Sequence, residues 1–151
     1  MPCVSAKFNP IEGPLVKIGI SSPGILLAEA PHKVVTVWAL IDTGSDLTCI
    51  FPSVAAEADV LSLEKRDMVS ANHTTAASIY IVNLQIHLSG SIVEFQGHEV
   101  MEFAGSEHRK CRALLGRDVL CAGANSFSMA NSAYELCLDE SPFPSSISPV
   151  P

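Results

Sequence analysis

The stretch that decides the fold class is Val82-Asn83-Leu84-Gln85-Ile86-His87-Leu88, in which aliphatic and polar residues alternate. Successive side chains of a β-strand point to opposite faces, so this stretch places its aliphatic side chains on one face and its polar ones on the other. The alternation therefore predicts a strand with one face in a core and the other toward solvent.

Outside this stretch, β signals outnumber helical ones. Runs rich in β-branched or aliphatic residues occur at Leu15–Ile20, Val34–Ile41, Ile92–Phe95 and Val100–Phe103, with Gln96-Gly97 as a turn between the last two. Two short stretches have a helical pattern: Ser53–Ala58, with Ser53 as its N-cap, and Arg117–Ala122. We therefore expect an all-β domain of roughly seven to nine short strands with one or two short helices, built as a barrel or a sandwich.

The composition indicates one globular domain. The chain has 151 residues, of which 48% are hydrophobic and 17% charged, and this excludes disorder over most of its length. The formal net charge is −7, so nucleic-acid phosphates and anionic membrane surfaces are not expected partners. No apolar run approaches the roughly 20 residues of a membrane span, and the N-terminal residues do not resemble a signal peptide. We therefore expect a soluble, cytoplasmic protein.

Proline is frequent at both ends of the chain. We expect residues 1–13 to be a flexible N-terminal segment and residues 139–151 a Pro/Ser-rich C-terminal tail, on either side of a domain at residues 14–138. The five cysteines are odd in number and form no Cys-x-x-Cys pair, which favours reduced thiols over a disulfide framework. Zinc-binding spacing is also missing among the histidines, so no metal is expected.

The stretch Leu40-Ile41-Asp42-Thr43-Gly44-Ser45-Asp46 places a carboxylate directly after an apolar run and before a glycine. Glycine allows a sharp turn, so Asp42 would lie half desolvated at the mouth of the core. Two interpretations are open: an Asx turn, in which Asp42 bonds the backbone two residues on, and a catalytic carboxylate. A second stretch, Leu114-Leu115-Gly116-Arg117-Asp118-Val119-Leu120, again joins an apolar strand to a glycine and leads into a short helix.

Together these two stretches resemble the retropepsin-like aspartic proteases, in which an Asp-Thr-Gly loop lies beside an apolar-apolar-Gly strand. The resemblance extends in spacing over residues 14–138, and its specific motifs lie at 39–47 and 113–120. It implies an acid-protease barrel, a two-fold homodimer, a polypeptide substrate, and no metal or organic cofactor. Ser45 stands where viral members usually have alanine, so the chain looks more similar to bacterial and cellular relatives.

The resemblance also implies roles for individual residues of the first motif. It makes Asp42 the catalytic acid, Thr43 the hydroxyl that bonds across the subunit interface, and Gly44 a backbone contact for substrate. Asp46 would bind the substrate backbone and pair with Arg117.

Three further assignments concern the residues around these. Ser45 is expected to contact substrate, and its hydroxyl to donate a hydrogen bond to the Asp42 carboxylate, which would lower the pKa of that carboxylate. The resemblance gives Gly116, Arg117 and Asp118 a structural role. The alternative for the two charged residues is a solvated helix start.

The polar stretch Asn72-His73-Thr74-Thr75 lies between two β-like runs, Asp67–Ala71 and Ala76–Val82, and would form the tip of a hairpin. It stands where the family has the flap that covers substrate, which makes Ala71, Asn72, His73 and Thr74 candidate substrate contacts. The alternative is an ordinary surface hairpin.

One chain supplies one Asp-Thr-Gly, whereas the activation of water by aspartic acids needs two carboxylates, one ionised and one protonated. The available solution is a homodimer in which both Asp42 residues face each other across the two-fold axis. We therefore interpret the sequence as that of an aspartic endopeptidase. Two alternatives are a non-catalytic peptide-binding or dimerisation module of the same fold, and an unrelated monomeric β-sandwich with a chance Asp-Thr-Gly.

Overall fold

A computed structural model describes residues 1–23, 33–69, 74–103 and 110–139, apart from the side chain of Met68. This part of the chain contains mostly strands and two short helices. In chain order the elements are β1 (Cys3–Lys7), β2 (Leu15–Ser21), β3 (Val35–Ile41), β4 (Cys49–Ile50), α1 (Pro52–Glu57), β5 (Ser62–Val69), β6 (Thr74–Leu88), β7 (Ser91–Glu102), β8 (Ala113–Leu115), α2 (Arg117–Leu120), β9 (Gly123–Ser128) and β10 (Ala133–Leu138).

The larger sheet closes on itself. Its strand order is β2-β3-β8-β4-β7-β6-β5, and an additional pairing joins β2 to β6. Strands β2, β3, β8, β4, β7 and β6 therefore form a ring, with β5 attached outside it. The prediction of an all-β fold with one or two short helices is confirmed, and of the two architectures left open the structure shows the barrel.

The barrel is filled by the aliphatic faces of its strands. On β6, the aliphatic residues of the alternating stretch are at most 1% exposed, as predicted: Val82, Leu84, Ile86 and Leu88. On the neighbouring strand β2, Ile18 and Ile20 are fully buried and pair in register with Ile86 and Leu84. Burial of an aliphatic side chain of this size contributes about 1.5–3 kcal/mol, so this stretch is a main source of stability.

The expected turn at Gln96-Gly97 is wrong, because β7 runs through it without reversing. Opposite β6, the partners Val82↔His98 and Leu84↔Phe95 leave one extra residue on β7, which is a β-bulge. Gly97 takes a positive φ of 60°, and its N–H donates to Asn83 Oδ1 at 2.9 Å. The glycine therefore bends the strand, and the Asn83 side chain replaces the missing ladder partner.

The N-terminal segment differs most from expectation. Cys3–Lys7 forms strand β1, which pairs with β10 in a three-stranded sheet of order β1-β10-β9. A disulfide joins Cys3 to Cys137 across this pair, so the expectations of a loose segment at this strand and of five reduced thiols are both wrong. The two cysteines lie 134 residues apart, and only the pairing of the chain's ends brings them together. The remaining cysteines are thiols.

Helix α1 begins one residue earlier than expected. Its N-cap is Phe51, whose side chain makes no capping bond, and Pro52 occupies the first turn. Proline fixes φ near the helical value and lacks the N–H that would be unsatisfied there, so it sets the helix start instead of Ser53. Helix α2 is shorter than expected and ends at Leu120, and residues 121–122 form a turn. The expected tail beyond Asp139 lies outside the described residues.

Candidate active site

Asp42 lies at the carboxyl end of β3, where the barrel opens. Its N–H donates to the carbonyl of Leu115 at 2.9 Å and thereby extends the parallel pairing of β3 with β8. Its Oδ1 accepts the N–H of Gly44 at 3.0 Å, and its carbonyl accepts the N–H of Ser45 at 3.2 Å. The loop is therefore an Asx turn that holds a half-buried carboxylate, so the Asx-turn interpretation is confirmed, and the catalytic interpretation stays a prediction.

Two glycines make this loop possible. A Cβ on Gly44 would lie 3.3 Å from Asp42 Oδ1, and its absence leaves room for the carboxylate. A Cβ on Gly116 would lie 2.6 Å from the carbonyl carbon and oxygen of Leu47. Real Cβ atoms do not approach backbone so closely, so only glycine lets the segment after the Asp42 loop cross the end of β8.

The Asp118 side chain stabilises the same crossing through hydrogen bonds. Its Oδ1 accepts the Thr48 hydroxyl at 2.8 Å, and its Oδ2 accepts the Thr48 N–H at 3.0 Å and lies 2.7 Å from His98 Nε2. The Thr48 hydroxyl in turn accepts the N–H of Gly116 at 3.1 Å. Burial alone would raise the pKa of Asp118, but the hydrogen bonds from His98 and Thr48 outweigh this and hold the pKa below its ordinary value. Asp118 is thus structural, and the alternative of a solvated helix start does not apply to it.

Sequence reasoning missed two members of this network, Thr48 and His98. The one available signal was a polar threonine between the apolar residues Leu47 and Cys49, where it is fully buried in the structure. His98 carries no sequence signal of its own, because the bulge at Gly97 decides which way its side chain points.

Arg117 does not form the expected ion pair with Asp46. Its backbone N–H donates to the carbonyl of Ser45 at 2.8 Å, and its side-chain Nη1 donates to the carbonyl of Thr43 at 3.3 Å. Asp46 and Arg117 are both exposed, and no ion pair joins them within the part of the chain that the structure describes. An exposed ion pair contributes little in water, and the guanidinium bonds the Thr43 carbonyl instead.

Ser45 also differs from expectation. Its hydroxyl donates to the carbonyl of Leu47 at 2.6 Å and so points along the loop, away from the Asp42 carboxylate. Nearby, burial is the largest of the effects that raise the pKa of the Cys49 thiol to about 11. A thiol with that pKa stays protonated near neutral pH, so Cys49 is not an activated nucleophile.

The candidate flap is the hairpin of β5 and β6. The two strands pair from Ser62↔Tyr80 to Val69↔Thr74, and Thr74 is exposed at the end of the ladder. Ala71, Asn72 and His73 lie outside the described residues, so their assignment as substrate contacts stays a prediction.

The described ranges contain neither a metal-binding cluster nor a helix that could span a membrane. No group of three or more His, Cys, Asp or Glu side chains there converges as a metal site would require. Neither helix in that part of the chain has the length and apolar character needed to cross a membrane.

Comparisons with known proteins agree with this geometry. A family model described as aspartyl protease matches residues 32–119. Among solved structures, a retropepsin-like aspartic protease from Rickettsia conorii is similar with a TM-score of 0.51 and 13% identity, over 89% of this chain and 92% of that one. The EIAV protease complexed with the inhibitor HBY-793 gives a TM-score of 0.43 and 14% identity, over 77% and 92%. No curated protein matches in sequence.

Proposed function

Because the chain belongs to the aspartyl protease family and has a retropepsin-like fold, we propose that it is an aspartic endopeptidase whose catalytic carboxylate is Asp42. The observation that carries the proposal is the placement of Asp42. Its backbone is fixed to Leu115, and its Oδ1 is oriented by Gly44, while the carboxylate stays partly open to solvent. A carboxylate held this way is preorganised to act on a bound water.

The active unit is a homodimer, because one chain brings one such carboxylate. With two Asp42 carboxylates sharing one proton, the ionised one takes a proton from water as the water oxygen attacks the peptide carbonyl carbon. The protonated one gives its proton to the carbonyl oxygen, which yields a tetrahedral diol. The carboxyl group that took the proton from water then gives it to the amide nitrogen, and the other carboxylate takes a proton from a diol hydroxyl. The carbon–nitrogen bond breaks, which releases an amine and a carboxylic acid and leaves one proton on the pair of Asp42 side chains.

The three-stranded sheet supports dimer formation. Strands β1 and β9 each pair with β10 alone, so each has an outer edge whose backbone groups are unpaired within the described residues. Such edges are templates for pairing with a second chain. The Cys3–Cys137 disulfide holds β1 in place before any partner arrives.

The remaining assignments follow from this arrangement. Thr43 bonds across the dimer interface, and Gly44 and Asp46 contact the substrate backbone. Ser45 holds the loop through its bond to the Leu47 carbonyl and contacts the substrate from that position.

The covering hairpin is assigned separately. Its tip, formed by Ala71, Asn72, His73 and Thr74, closes over the bound peptide and excludes water from the carboxylates.

The proposal is tested by digesting a peptide library at several pH values, with and without an inhibitor of the pepstatin or hydroxyethylene type. We expect cleavage that the inhibitor suppresses and that Asp42→Asn lacks, because asparagine is nearly isosteric but accepts no proton. Cleavage that persists in purified Asp42→Asn would contradict the assignment. Peptide binding without cleavage by the wild type would indicate the non-catalytic module.

A further inference from the structure

A recess lies on the outside of the barrel, beside the three-stranded sheet. It has a volume of about 570 Å³ and is bounded by strands β1 and β10 on one side and by β2, β3 and β6 on the other. Its walls are part apolar and part polar, and the apolar part includes the aromatic rings of Phe8, Trp38 and Tyr134. None of the residues assigned to catalysis or substrate contact above lines it.

The charged groups of this recess are mostly cationic. Lys17 lies opposite Trp38 in the β2–β3 register, and its Nζ is 5.5 Å from the Trp38 ring centre. Lys110 approaches the same ring to 5.2 Å, and Lys7 also lines the recess. Glu12 is the acidic residue in the lining. Two like charges are therefore gathered on one ring, in a chain whose net charge is −7, and a bound anion would relieve their repulsion.

His87 supplies a hydrogen-bonding group at the same wall. The pairing of Ile18 with Ile86 places His87 beside Lys17 on the outer face of the barrel. Its Nε2 is buried and has no hydrogen-bond partner, the one such side-chain atom found in the described part of the chain. Burial, and to a smaller extent Lys17, lowers the pKa of His87, so the imidazole is neutral near neutral pH. A buried polar atom without a partner in a native structure points to a missing ligand or water.

The recess and the Asp42 loop are connected by strand β3, which contributes Trp38 to the recess and ends directly before Asp42. On β3, Val37, Ala39 and Ile41 face the core, whereas Trp38 and Leu40 point the other way, on the side that continues to Asp42. Trp38 precedes Asp42 by four residues, which is roughly 13 Å along an extended strand. An extended polypeptide of about four residues spans the same distance.

We propose that this recess binds a carboxylate carried on an apolar stretch of polypeptide, with the oxygens between Lys17, Lys110 and His87 and the apolar neighbours against Trp38. The choice of a polypeptide over a free organic acid rests on the proposed peptidase function. The chemistry of recognition, a carboxylate next to an apolar group, rests on the recess alone. The site would favour substrates with an acidic residue a few positions from the cleaved bond.

Trp38 provides the readout, because it is the only tryptophan in the chain. The experiment titrates full-length Asp42→Asn protein, which does not cleave, with the capped peptide Ac-Ala-Leu-Glu-Leu-Ala-amide while tryptophan fluorescence is recorded. The matched ligand has Gln in place of Glu, and hexanoate represents a free organic acid. We expect a saturable change with the Glu peptide and about tenfold weaker binding of the Gln peptide, since only the carboxylate is attracted by both lysines.

Variants then assign the binding to the recess. Lys17→Met and Lys110→Met together remove the two charges but keep unbranched side chains, and we expect them to weaken binding of the Glu peptide about tenfold. Lys65→Met is the matched control, because Lys65 is exposed on β5 and does not line the recess. Circular dichroism confirms that each variant is folded. Equal affinities of the double variant and the control would overturn the proposal, as would hexanoate binding as tightly as the peptide.

Failure of this site and failure of the proposed function have different signatures. Wild-type protein that cleaves Glu-containing and Gln-containing peptides equally well, without a fluorescence response in Asp42→Asn, would refute the site and leave the peptidase. Saturable, lysine-dependent binding without cleavage by the wild type would support the site and refute the peptidase.

Discussion

His98 Nε2 lies 2.7 Å from Asp118 Oδ2, and the side chains are only 14% and 13% exposed. His98 belongs to β7 and Asp118 to α2, and the same carboxylate binds Thr48 through both its N–H and its hydroxyl. One carboxylate therefore joins a barrel strand, the second helix and the segment that follows the Asp42 loop. We interpret this as the anchor that keeps the loop in register with Gly116.

Replacing Asp118 with alanine should destabilise the protein by about 3 kcal/mol, because Thr48 and His98 would lose their acceptor while remaining buried. Urea denaturation followed by circular dichroism measures the change. Asp139→Ala is the control, since Asp139 is exposed at the end of β10, and we expect it to change stability by about 0.5 kcal/mol or less. Equal effects of the two variants would show that the network is not a source of stability.

The contribution of Asp118 should also depend on pH. Its pKa is lowered in the folded state, so the unfolded chain binds a proton at higher pH than the folded one. The stabilisation is therefore fully present above about pH 4, the ordinary range of aspartate, and is lost as the pH falls through the lower folded value. The stability difference between wild type and Asp118→Asn should shrink below pH 4. A difference that stays constant from pH 6 to pH 3 would contradict this.

The fold class could be predicted from the sequence because the alternation of aliphatic and polar residues matches the alternation of buried and exposed side chains. The alternation around Leu84 and Ile86 predicts a strand whichever partners it has, and both residues are fully buried. The continuity of β7 through Gly97 could not be predicted, because the Asn83 side chain that completes the bulge belongs to another strand. The Cys3–Cys137 disulfide could not be predicted for a similar reason, since it depends on the pairing of the two ends of the chain.

The sequence predicted the backbone arrangement of the candidate site better than the hydrogen-bond partners of its side chains. Asp42 bonds Leu115 and Gly116 lies against Leu47, so the two motifs adjoin as predicted, because a turn and a close crossing each require particular residue types. The partners of Arg117 and Ser45 were wrong, since a flexible cation and a hydroxyl choose among several nearby carbonyls. Such choices depend on distances of a few tenths of an ångström that no sequence pattern specifies.

Two glycine variants should separate stability from catalysis. Gly116→Ala places a Cβ 2.6 Å from the Leu47 backbone, which cannot move aside cheaply, so we expect destabilisation of about 3 kcal/mol. Gly44→Ala places its Cβ 3.3 Å from Asp42 Oδ1, where the carboxylate gives way at little cost in stability. We expect Gly44→Ala to lower the kcat of peptide cleavage instead. Thermal unfolding and peptide-cleavage kinetics distinguish the two, and the reverse pattern would show that the close contacts are misassigned.

Arg117 and Asp46 should behave as independent residues. Because no ion pair joins these exposed side chains, the coupling energy in a double-mutant cycle of Arg117→Ala and Asp46→Ala should be about 0.3 kcal/mol or less. Arg117→Ala alone should cost about 0.5 kcal/mol, the value of an exposed hydrogen bond to the Thr43 carbonyl. A coupling energy above about 1 kcal/mol would mean that the two side chains pair in solution.

Ser45→Ala should leave the pH optimum of cleavage unchanged. The hydroxyl donates to the Leu47 carbonyl, so its removal takes no hydrogen bond away from the Asp42 carboxylate. The variant should lose about 1 kcal/mol of stability, because the Leu47 carbonyl loses this donor. The comparison uses kcat/KM profiles on one peptide, with dimer affinity measured at each pH. An optimum that rises by about half a pH unit or more would show that the hydroxyl turns toward Asp42 in the working enzyme, since loss of a hydrogen bond to the charged carboxylate raises its pKa.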